Sequence, residues 1–470
     1  MKRRDFLKSS LATALGLGAG LPFLKAGALD SKPPNIILIM ADDLGWGDLG
    51  CYGNPWVKTP VIDQLARNGL RFKQFYVNSS LCSPSRTAFL TGRFPSELSV
   101  FNVYGHEEAD DQQGMADFLS PDLPMLSKGL RQLGYHTAHV GKWHIDMAPK
   151  SKPVDYGFDI FREWHHLIWE KLSDKEQKWT RSSELIVDTA ISSLDKLKQP
   201  FFLNIWLFHP HAVLNPTDEQ IKPFADLHPH PDVNFHGARE IYYAALLEMD
   251  TEIGRLMEYL DDKKLRQNTL TLFTSDNGPE TVYVNAASAS AAGSTGPFRG
   301  RKRSLYEGGI RVPFIASWPG KIPDGLINTN TVLSGIDLFP SLEKLAGGPG
   351  NNPLEVDGED LCGVLLGKTQ VRKGSLYWEQ RFPMKGDLID FSPPLAIRSD
   401  QWKLLCDYDG SDVELYDMTS GFQETDNVAV ENPECAARLK SELLAWAKSL
   451  PEGPKPVKGQ YRTWTLPQYK

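Results

Sequence analysis

The sequence predicts an α/β fold in two parts: a mostly parallel central sheet sandwiched by helices, and a small C-terminal antiparallel sheet plus one helix. Short, almost continuously apolar runs, of the kind that build a buried parallel sheet, predict the first part. Amphipathic stretches alternate with these runs, as helices covering both faces of such a sheet do. After about residue 370 the runs shorten and turn residues separate them, which predicts the second part.

The elements of the large part are predicted in chain order. The runs interpreted as strands are Asn35–Met40, Thr137–Val140, Phe201–Leu207 and Leu270–Thr274. Apolar residues at helical spacing predict two core-facing helices, whose faces are Ile186, Ala190, Leu194 and Leu197 in the first and Met249, Ile253, Leu256 and Leu260 in the second.

The C-terminal part is predicted from four short apolar runs and a closing helix. The runs are 376–378, 395–398, 402–405 and 413–416, and the helix carries Leu439, Leu443, Trp446 and Leu450 on one face. We divide the chain where the pattern changes. The expected units are a catalytic domain over residues 29–370 and a C-terminal subdomain over residues 371–470.

Residues 1–28 are typical of an export signal. Arg3 and Arg4 precede a mildly apolar stretch, Leu11–Leu24, which is too short to span a membrane. The paired arginines favour a twin-arginine-like signal, and a general secretory signal is the alternative. We therefore expect an exported protein, periplasmic or extracellular, with no transmembrane segment in the mature chain.

Charge and cysteine content exclude several classes of function. The net charge is −8 and no basic stripe is present, which argues against a nucleic-acid partner. The five cysteines are odd in number and show no CxxC spacing, so neither a dense disulfide framework nor a cysteine zinc site is expected. They are Cys51, Cys82, Cys362, Cys406 and Cys435.

Polar clusters follow the predicted strands, at the points where an α/β sheet gathers its ligands. Together with Cys82 they form five clusters that are expected to converge on one rim: Asp42-Asp43, Lys142 with His144, His209 with His211, Asp276-Asn277, and Cys82 itself. Asp42, Asp43, Asp276 and Asn277 offer hard oxygen ligands suited to Ca²⁺, with Mg²⁺ possible, and poorly suited to zinc. Caps or turn formers are the alternative for either acidic pair alone.

Cys82 precedes Pro84 and a helix-compatible run, which places it near a helix N-terminus. The helix dipole and free amides there would lower the pKa of the thiol and favour an anion. The residues alone leave a thiolate nucleophile and a redox sensor equally open.

The segment from Cys82 to Arg93, CSPSRTAFLTGR, resembles the signature of the type I, formylglycine-dependent sulfatases of the alkaline phosphatase-like superfamily. That signature is Cys-x-Pro-x-Arg followed by Leu-Thr-Gly. Further motifs of the family recur in its usual order from Asn35 to Lys344, including Gly-Lys-Trp-His at 141–144, and Glu414-Leu415-Tyr416-Asp417 extends the match. The resemblance therefore covers almost all of the chain after the signal.

The resemblance implies that a separate formylglycine-generating enzyme oxidises Cys82 to formylglycine, whose hydrated aldehyde attacks sulfur. It implies a divalent cation held by Asp42, Asp43, Asp276, Asn277 and the modified Cys82. The remaining roles that it implies are Arg86 and Lys142 for holding the hydrate, His144 for assisting release of sulfate, and His211 with Lys302 for assisting departure of the alcohol. His209 is the rival of His211.

The expected substrate is a sulfated small molecule or saccharide, and export favours a carbohydrate or polysaccharide sulfate. A phosphonate monoester or phosphodiester hydrolase of the same superfamily is the alternative, as is a non-catalytic relative that binds metal and anions. Arg301 and Arg303 flank Lys302 where relatives frequently have glycine. They are expected to contact a polyanionic substrate or to face solvent.

Overall fold

The structure is a computed structural model that describes residues 32–105, 110, 114–145, 152–164, 167, 180–228, 235–282, 287–349, 356–381 and 390–453. The predicted export signal, residues 1–28, lies outside the described residues. The compact unit that begins at Pro33 is described below. Within the described residues, no helix is both long and apolar enough to cross a bilayer.

The strands, numbered in chain order, are β1 (Asn35–Ala41), β2 (Leu70–Phe72), β3 (Phe75–Tyr76), β4 (His136–Gly141), β5 (Ile160–Glu163), β6 (Phe201–Trp206), β7 (Thr269–Ser275), β8 (Phe314–Ser317), β9 (Leu326–Asn328), β10 (Leu333–Ser334), β11 (Leu376–Glu379), β12 (Leu395–Ser399), β13 (Trp402–Cys406) and β14 (Glu414–Asp417). The α-helices are α1 (Pro60–Arg67), α2 (Cys82–Thr91), α3 (Leu126–Gln132), α4 (Ser182–Leu194), α5 (Asp218–Ile221), α6 (Ala238–Asp262), α7 (Glu307–Ile310), α8 (Leu338–Leu345), α9 (Cys362–Leu365) and α10 (Pro433–Ser449).

The central sheet has the strand order β5-β4-β6-β1-β7-β8-β2-β9. The strands from β5 to β7 are parallel, whereas β8 runs antiparallel to both of its neighbours. All seven residues of β1 are buried, as a central strand covered on both faces requires. The predicted α/β class with a mostly parallel sheet is confirmed.

Helices cover the two faces of this sheet in separate layers. Along β1, Ile36, Leu38 and Met40 belong to one apolar cluster, which includes residues of α2, α3 and α8. Ile37 and Ile39 belong to the opposite cluster, which includes residues of α1, α4 and α6. This alternation follows from the two-residue period of a strand. In sheets of this kind, ligand-binding groups gather at the carboxyl ends of the parallel strands.

The predicted helical faces are largely as expected. In α6 all four predicted residues are buried, and in α4 Ile186, Ala190 and Leu194 are buried. Leu197 packs against the same core from beyond the end of α4. The predicted C-terminal sheet is confirmed as four antiparallel strands in the order β11-β12-β13-β14, and α10 covers it through Leu439 and Leu443.

A buried group of charges joins the C-terminal sheet to the central core. Lys403 of β13 is fully buried, and its Nζ lies 3.0 Å from Glu307 Oε1 and 2.7 Å from Glu424 Oε1. Arg311 Nη1 lies 3.0 Å from Glu307 Oε2, to which the Tyr76 hydroxyl donates at 2.7 Å. We call these five residues the Lys403 cluster. They tie β13 to the segment that contains α7.

Candidate active site

The ends of β1 and β7 bring three carboxylates together. These strands are parallel neighbours with Ala41 opposite Ser275, so that Asp42 and Asp276 emerge at the same level of the sheet. Asp43 adopts the left-handed conformation (φ 65°), and its amide donates to Asp276 Oδ1 at 3.1 Å. All three carboxylates are at most 1% exposed. Such a group is stable only with cations beside it.

Cys82 is the first residue of α2, after the extended residue Leu81, as the sequence predicts. The cysteine is 1% exposed, and its Sγ lies 3.6 Å from Asp42 Oδ1. One ligand atom from each of Asp42, Asp43 and Cys82 lies within 4.8 Å of the other two. These three predicted metal ligands are therefore spaced so that one ion can contact all of them.

Asn277 adds an amide to this group. Its Nδ2 donates to Asp43 Oδ1 at 2.7 Å and to the carbonyl of Gly278 at 2.8 Å, and this fixes the orientation of the amide. Its Oδ1 is buried and has no hydrogen-bond partner among the described residues. A buried oxygen without a donor, beside three carboxylates, fits a hard cation such as Ca²⁺.

Arg86 and Lys142 supply two of the balancing cations. Arg86 is fully buried one turn after Cys82, and its Nη2 lies 2.6 Å from Asp276 Oδ2 and 3.3 Å from Asp42 Oδ2. Lys142 follows β4, and its Nζ donates to Asp42 Oδ2. Both cations thus meet the same oxygen of Asp42, and the other oxygen, Oδ1, is the one that faces Cys82.

The third cation, Lys302, comes from the loop before α7. Its Nζ lies 2.6 and 2.7 Å from the two carboxylate oxygens of Asp43. Glu280 Oε2 lies 3.5 Å from the same ammonium group, and Glu280 also forms an ion pair with Arg303. Glu280 was not singled out from the sequence. Its position two residues after Asp-Asn-Gly is the only signal that would have indicated it.

The charges of the site reinforce one another. Burial would raise the pKa of Asp42, but Lys142, His211 and Arg86 outweigh it and hold that pKa below its ordinary value. Burial would lower the pKa of Lys142 and Lys302, but the carboxylates that they face raise both, Lys302 to well above its ordinary value. The lysines therefore stay charged throughout the neutral range.

The sequence-based expectation for the thiol pKa is wrong. Burial raises the pKa of Cys82 to about 12, because desolvation outweighs the favourable charges of Lys142 and Lys302. A helix N-terminus lowers a thiol pKa, whereas burial raises it, and at Cys82 the effect of burial is the larger. Here the nearby cations are already paired with carboxylates. An unmodified Cys82 thiolate is therefore disfavoured at neutral pH.

Two histidines lie at the site and one predicted rival does not. His144 adopts a left-handed conformation (φ 57°), its Nδ1 is buried without a partner among the described residues, and burial with Lys142 and Arg86 holds its pKa well below the usual range. His211 Nε2 lies 3.9 Å from Asp43 Oδ2.

His209, the rival of His211, is engaged elsewhere. Its Nδ1 lies 2.9 Å from Ser183 Oγ and 3.0 Å from Glu248 Oε2, so that the ring is held by α4 and α6. The imidazole of His211 is partly exposed, with 29% of its side chain accessible. Of the two rings, that of His211 is therefore the one positioned to meet a substrate.

Arg301 and Arg303 both have partners close to Lys302. Arg301 donates to the carbonyls of Glu280, Ala291 and Gly293 at 2.7 to 2.9 Å. Arg303 forms its ion pair with the buried Glu280 and is 22% exposed. Both side chains thus stabilise the loop around Lys302. Contact of either side chain with a polyanionic substrate stays a prediction.

Comparisons with known proteins identify the family of this chain. The sulfatase family profile matches residues 34–348, about two thirds of the chain. The chain belongs to the sulfatase family. A second profile, that of the C-terminal region of N-sulphoglucosamine sulphohydrolase, matches residues 296–449.

Curated relatives agree with the family assignment. This sulfatase is 35% identical to arylsulfatase A of Homo sapiens over 391 residues, covering 77% of the chain and 73% of the relative. It is 32% identical to N-acetylgalactosamine-6-sulfatase of Canis lupus familiaris over 422 residues, covering 83% and 73%. The crystal structure of Ps i-CgsB in complex with k-i-k-neocarrahexaose has a TM-score of 0.73 at 25% identity, covering 93% of this chain and 99% of that chain. The sulfatase resemblance predicted from the sequence is confirmed, and the protein is a sulfatase of the alkaline phosphatase-like superfamily.

Proposed function

We propose that this sulfatase hydrolyses sulfate esters of carbohydrates through a formylglycine made from Cys82 and a divalent cation, Ca²⁺ by preference. One observation carries the proposal. A buried group of three carboxylates and three cations lies beside Cys82 at the carboxyl ends of the parallel strands, and the neighbouring Asn277 Oδ1 is buried without a partner among the described residues. This arrangement suits a cation and a tetrahedral anion together.

The residues proposed to hold the cation are Asp42, Asp43, Asp276, Asn277 and the modified Cys82. When bound, the cation supplies Lewis-acid stabilisation of negative charge on sulfate oxygens. Asn277 Oδ1 would gain the partner that it lacks, and the Asp42 and Asp43 carboxylates would be neutralised without moving from the end of β1. The ligand set is all oxygen, which favours Ca²⁺ or Mg²⁺ over zinc.

Formylglycine supplies, as its hydrate, one hydroxyl that attacks sulfur and a second whose later deprotonation expels sulfate. Arg86 and Lys142 both form ion pairs with Asp42, which lies beside Cys82. Their positive charges are therefore close enough to the modified residue to stabilise anionic oxygens there. The Nδ1 of His144 is buried without a partner among the described residues, and we propose that it accepts a proton during release of sulfate.

His211 and Lys302 are proposed to protonate the departing alcohol. The Nδ1 of His211 lies 2.6 Å from the carbonyl of Ala212, which only accepts, so the ring proton belongs on Nδ1. A proton given to the alcohol would therefore be held on Nε2, the atom nearer Asp43. Lys302 presents an ammonium group beside the same carboxylate. Together they place two donors on one side of the site.

The carbohydrate assignment is supported by what relatives act on. N-acetylgalactosamine-6-sulfatase is named for a sulfated amino sugar, and Ps i-CgsB was crystallised with a neocarrahexaose. A panel of sulfated monosaccharides and oligosaccharides, scored for released sulfate, tests the substrate class. Turnover of aryl sulfates or choline sulfate alone would contradict the carbohydrate assignment while leaving the sulfatase assignment intact.

The same panel separates the alternatives within the superfamily. Aryl sulfate and aryl phosphodiester or phosphonate monoester are compared at equal concentration, with Cys82→Ala as the inactive control. We expect sulfate release to exceed phosphoester cleavage, because the sulfatase family profile matches residues 34–348. Faster phosphoester turnover would favour the phosphohydrolase alternative. No turnover of any ester by modified, Ca²⁺-loaded protein would favour a non-catalytic binder.

Mass spectrometry tests the modification itself. The Cys82 peptide of active protein is expected about 18 Da lighter than the free thiol, the loss when a thiol becomes an aldehyde of the kind used in covalent catalysis. Peptides containing Cys51, Cys362, Cys406 and Cys435 serve as internal controls and should keep their mass. Full activity with an unmodified Cys82 would overturn the mechanism.

Export directed by residues 1–28 and the division at residue 370 stay predictions.

A further inference from the structure

A second group of metal-ligand side chains lies outside the active site, where the connection after β6 meets the start of α6. His228, His236 and Glu240 each offer one ligand atom, and the three atoms lie within 4.8 Å of one another. None of these residues belongs to the active-site constellation. We propose that they bind a transition-metal ion, Zn²⁺ by preference, independently of the active-site cation.

The spacing of the group suits a tetrahedral ion. Ligand atoms about 2.0–2.1 Å from Zn²⁺ in a tetrahedron stand roughly 3.3 Å apart. His228 Nδ1 lies 3.2 Å from each carboxylate oxygen of Glu240, and His236 Nδ1 lies 3.7 Å from Oε1. The two imidazole rings are nearly perpendicular, with centroids 6.2 Å apart, so they approach the carboxylate from different directions.

Asp218, whose side chain is 97% exposed, lies beside one of the rings. Its Oδ1 lies 3.3 Å from His236 Nε2, on the side of the ring opposite to Glu240. A carboxylate at Nε2 holds the proton there and leaves a lone pair on Nδ1, which is the atom facing Glu240. Histidine ligands of metals are typically fixed by a partner of this kind. Asp218 is therefore a positioning residue for the proposed site.

Glu240 is held in place by the helix that it begins. The side chain is 1% exposed, and Oε2 accepts the amide proton of Gly237 at 2.6 Å in a capping interaction at the start of α6. This contact fixes the carboxylate and leaves Oε1 directed at both rings. A buried carboxylate requires a positive partner. Either protonated histidines or a metal ion supplies it, and the experiment below distinguishes them.

The ligand types distinguish this site from the active site. Two imidazoles and one carboxylate suit Zn²⁺ and neighbouring transition metals, whereas Ca²⁺ takes oxygen ligands. His228 and His236 have 26% and 39% of their side chains exposed, so water reaches the group and can complete the coordination. A bound ion would tie the connection after β6, which contains His211, to the start of α6. We expect it to stabilise the fold there.

Metal binding is measured on the full chain carrying Cys82→Ala, in excess Ca²⁺, so that the active-site group is occupied and lacks its thiol. The protein is mixed with Zn²⁺, separated by gel filtration and analysed for zinc by mass spectrometry. Co²⁺ serves as a spectroscopic probe of coordination. The variants are His236→Ala, Glu240→Gln and Asp218→Asn, with His136→Gln as a matched control for loss of a histidine elsewhere. The amide oxygen introduced by Glu240→Gln would still accept the Gly237 amide proton, so the helix cap survives.

We expect one zinc per chain in the parent and in the His136→Gln control, and none in His236→Ala or Glu240→Gln. In Asp218→Asn, zinc affinity should fall by about 10-fold to 100-fold, as is typical when a metal-binding histidine loses the partner that orients it. Added Zn²⁺ should raise the melting temperature of the parent and leave those of His236→Ala and Glu240→Gln unchanged. Absence of zinc from the parent, or equal zinc in His236→Ala, would overturn the proposal. Sulfate release by the unaltered Cys82 protein is measured separately, so failure of one proposal leaves the other standing.

Discussion

The active site and the Lys403 cluster are both fully buried groups of ion pairs, yet they differ in how their polar atoms are used. In the Lys403 cluster, two carboxylates share one lysine and one arginine between the central core and the C-terminal sheet. In the active site, Asn277 Oδ1 and His144 Nδ1 face the charges without a partner among the described residues. Burial of charge alone therefore does not mark function. What distinguishes the active site is that the Cys82 thiol lies within the group of charges, 3.6 Å from Asp42 Oδ1.

From this comparison we expect that disrupting the Lys403 cluster lowers the stability of the fold. In Lys403→Met, the two buried carboxylates lose their shared cation, which should lower the free energy of unfolding by about 3–5 kcal/mol. Denaturant unfolding measures the loss, and sulfate release per folded molecule should be retained. Adding Glu424→Gln to Lys403→Met should recover part of the stability, since it removes one of the stranded charges. A stable single variant would show that the cluster contributes little.

Breaking an ion pair of the active site should act on catalysis instead. In Lys302→Ala, loss of a donor from the leaving-group side should lower kcat by about 10²–10³-fold, or roughly 2.7–4 kcal/mol of barrier. In Ca²⁺-loaded protein the melting temperature should change little, because the cation neutralises Asp43. Arg303→Gln, one residue further along the same loop, is the matched control and should lose far less activity. Equal losses in the two variants would point to a loop effect.

Metal removal sharpens the same contrast. The active-site group should bind Ca²⁺, and at about 100 times its Kd the ion should add about 2.7 kcal/mol to the free energy of unfolding. A chelator should abolish both this gain and sulfate release, and Ca²⁺ should restore them. In Asn277→Leu the gain should shrink, whereas in Lys403→Met it should persist. A gain of full size in Asn277→Leu would exclude Asn277 as a ligand.

A pH dependence of stability is expected from the Lys403 cluster. Burial raises the pKa of Glu424 to about 7, although Lys403 opposes the shift. Because the folded-state pKa exceeds the ordinary value of 4.5, the folded protein binds the proton more tightly. Stability should then fall as pH rises from about 4.5 to 7, with a slope of at most about 1.4 kcal/mol per pH unit. Glu424→Gln should flatten this part of the stability profile, and an unchanged slope would assign it to another group.

The central fold was predictable because β1, β6 and β7 are buried on both faces and are therefore apolar almost throughout. The strands at the other edge escaped prediction. β2 and β9 have three residues each, too few for a pattern, and the antiparallel placement of β8 depends on pairing between distant segments. The C-terminal sheet was predictable from its short strands and turns.

Within the candidate site, the sequence indicated which residues follow strands but not which atoms meet. Lys302 and Asp43 are 259 positions apart, and no sequence pattern near either residue predicts their ion pair. Two features of the site escaped prediction for the same reason. Arg301 is satisfied by backbone carbonyls, which carry no sequence signal, and the pKa of Cys82 depends on a burial that a helix-start pattern does not reveal.

The complete burial of α2 limits when another protein can reach Cys82. Every residue from Cys82 to Thr91 is buried, so another protein cannot reach the cysteine once the helix has packed. Any enzyme that oxidises Cys82 must therefore act on the nascent or unfolded chain, before the central sheet closes over it. Under the proposed formylglycine mechanism, a chain that folded before this oxidation would keep the Cys82 thiol and would lack activity.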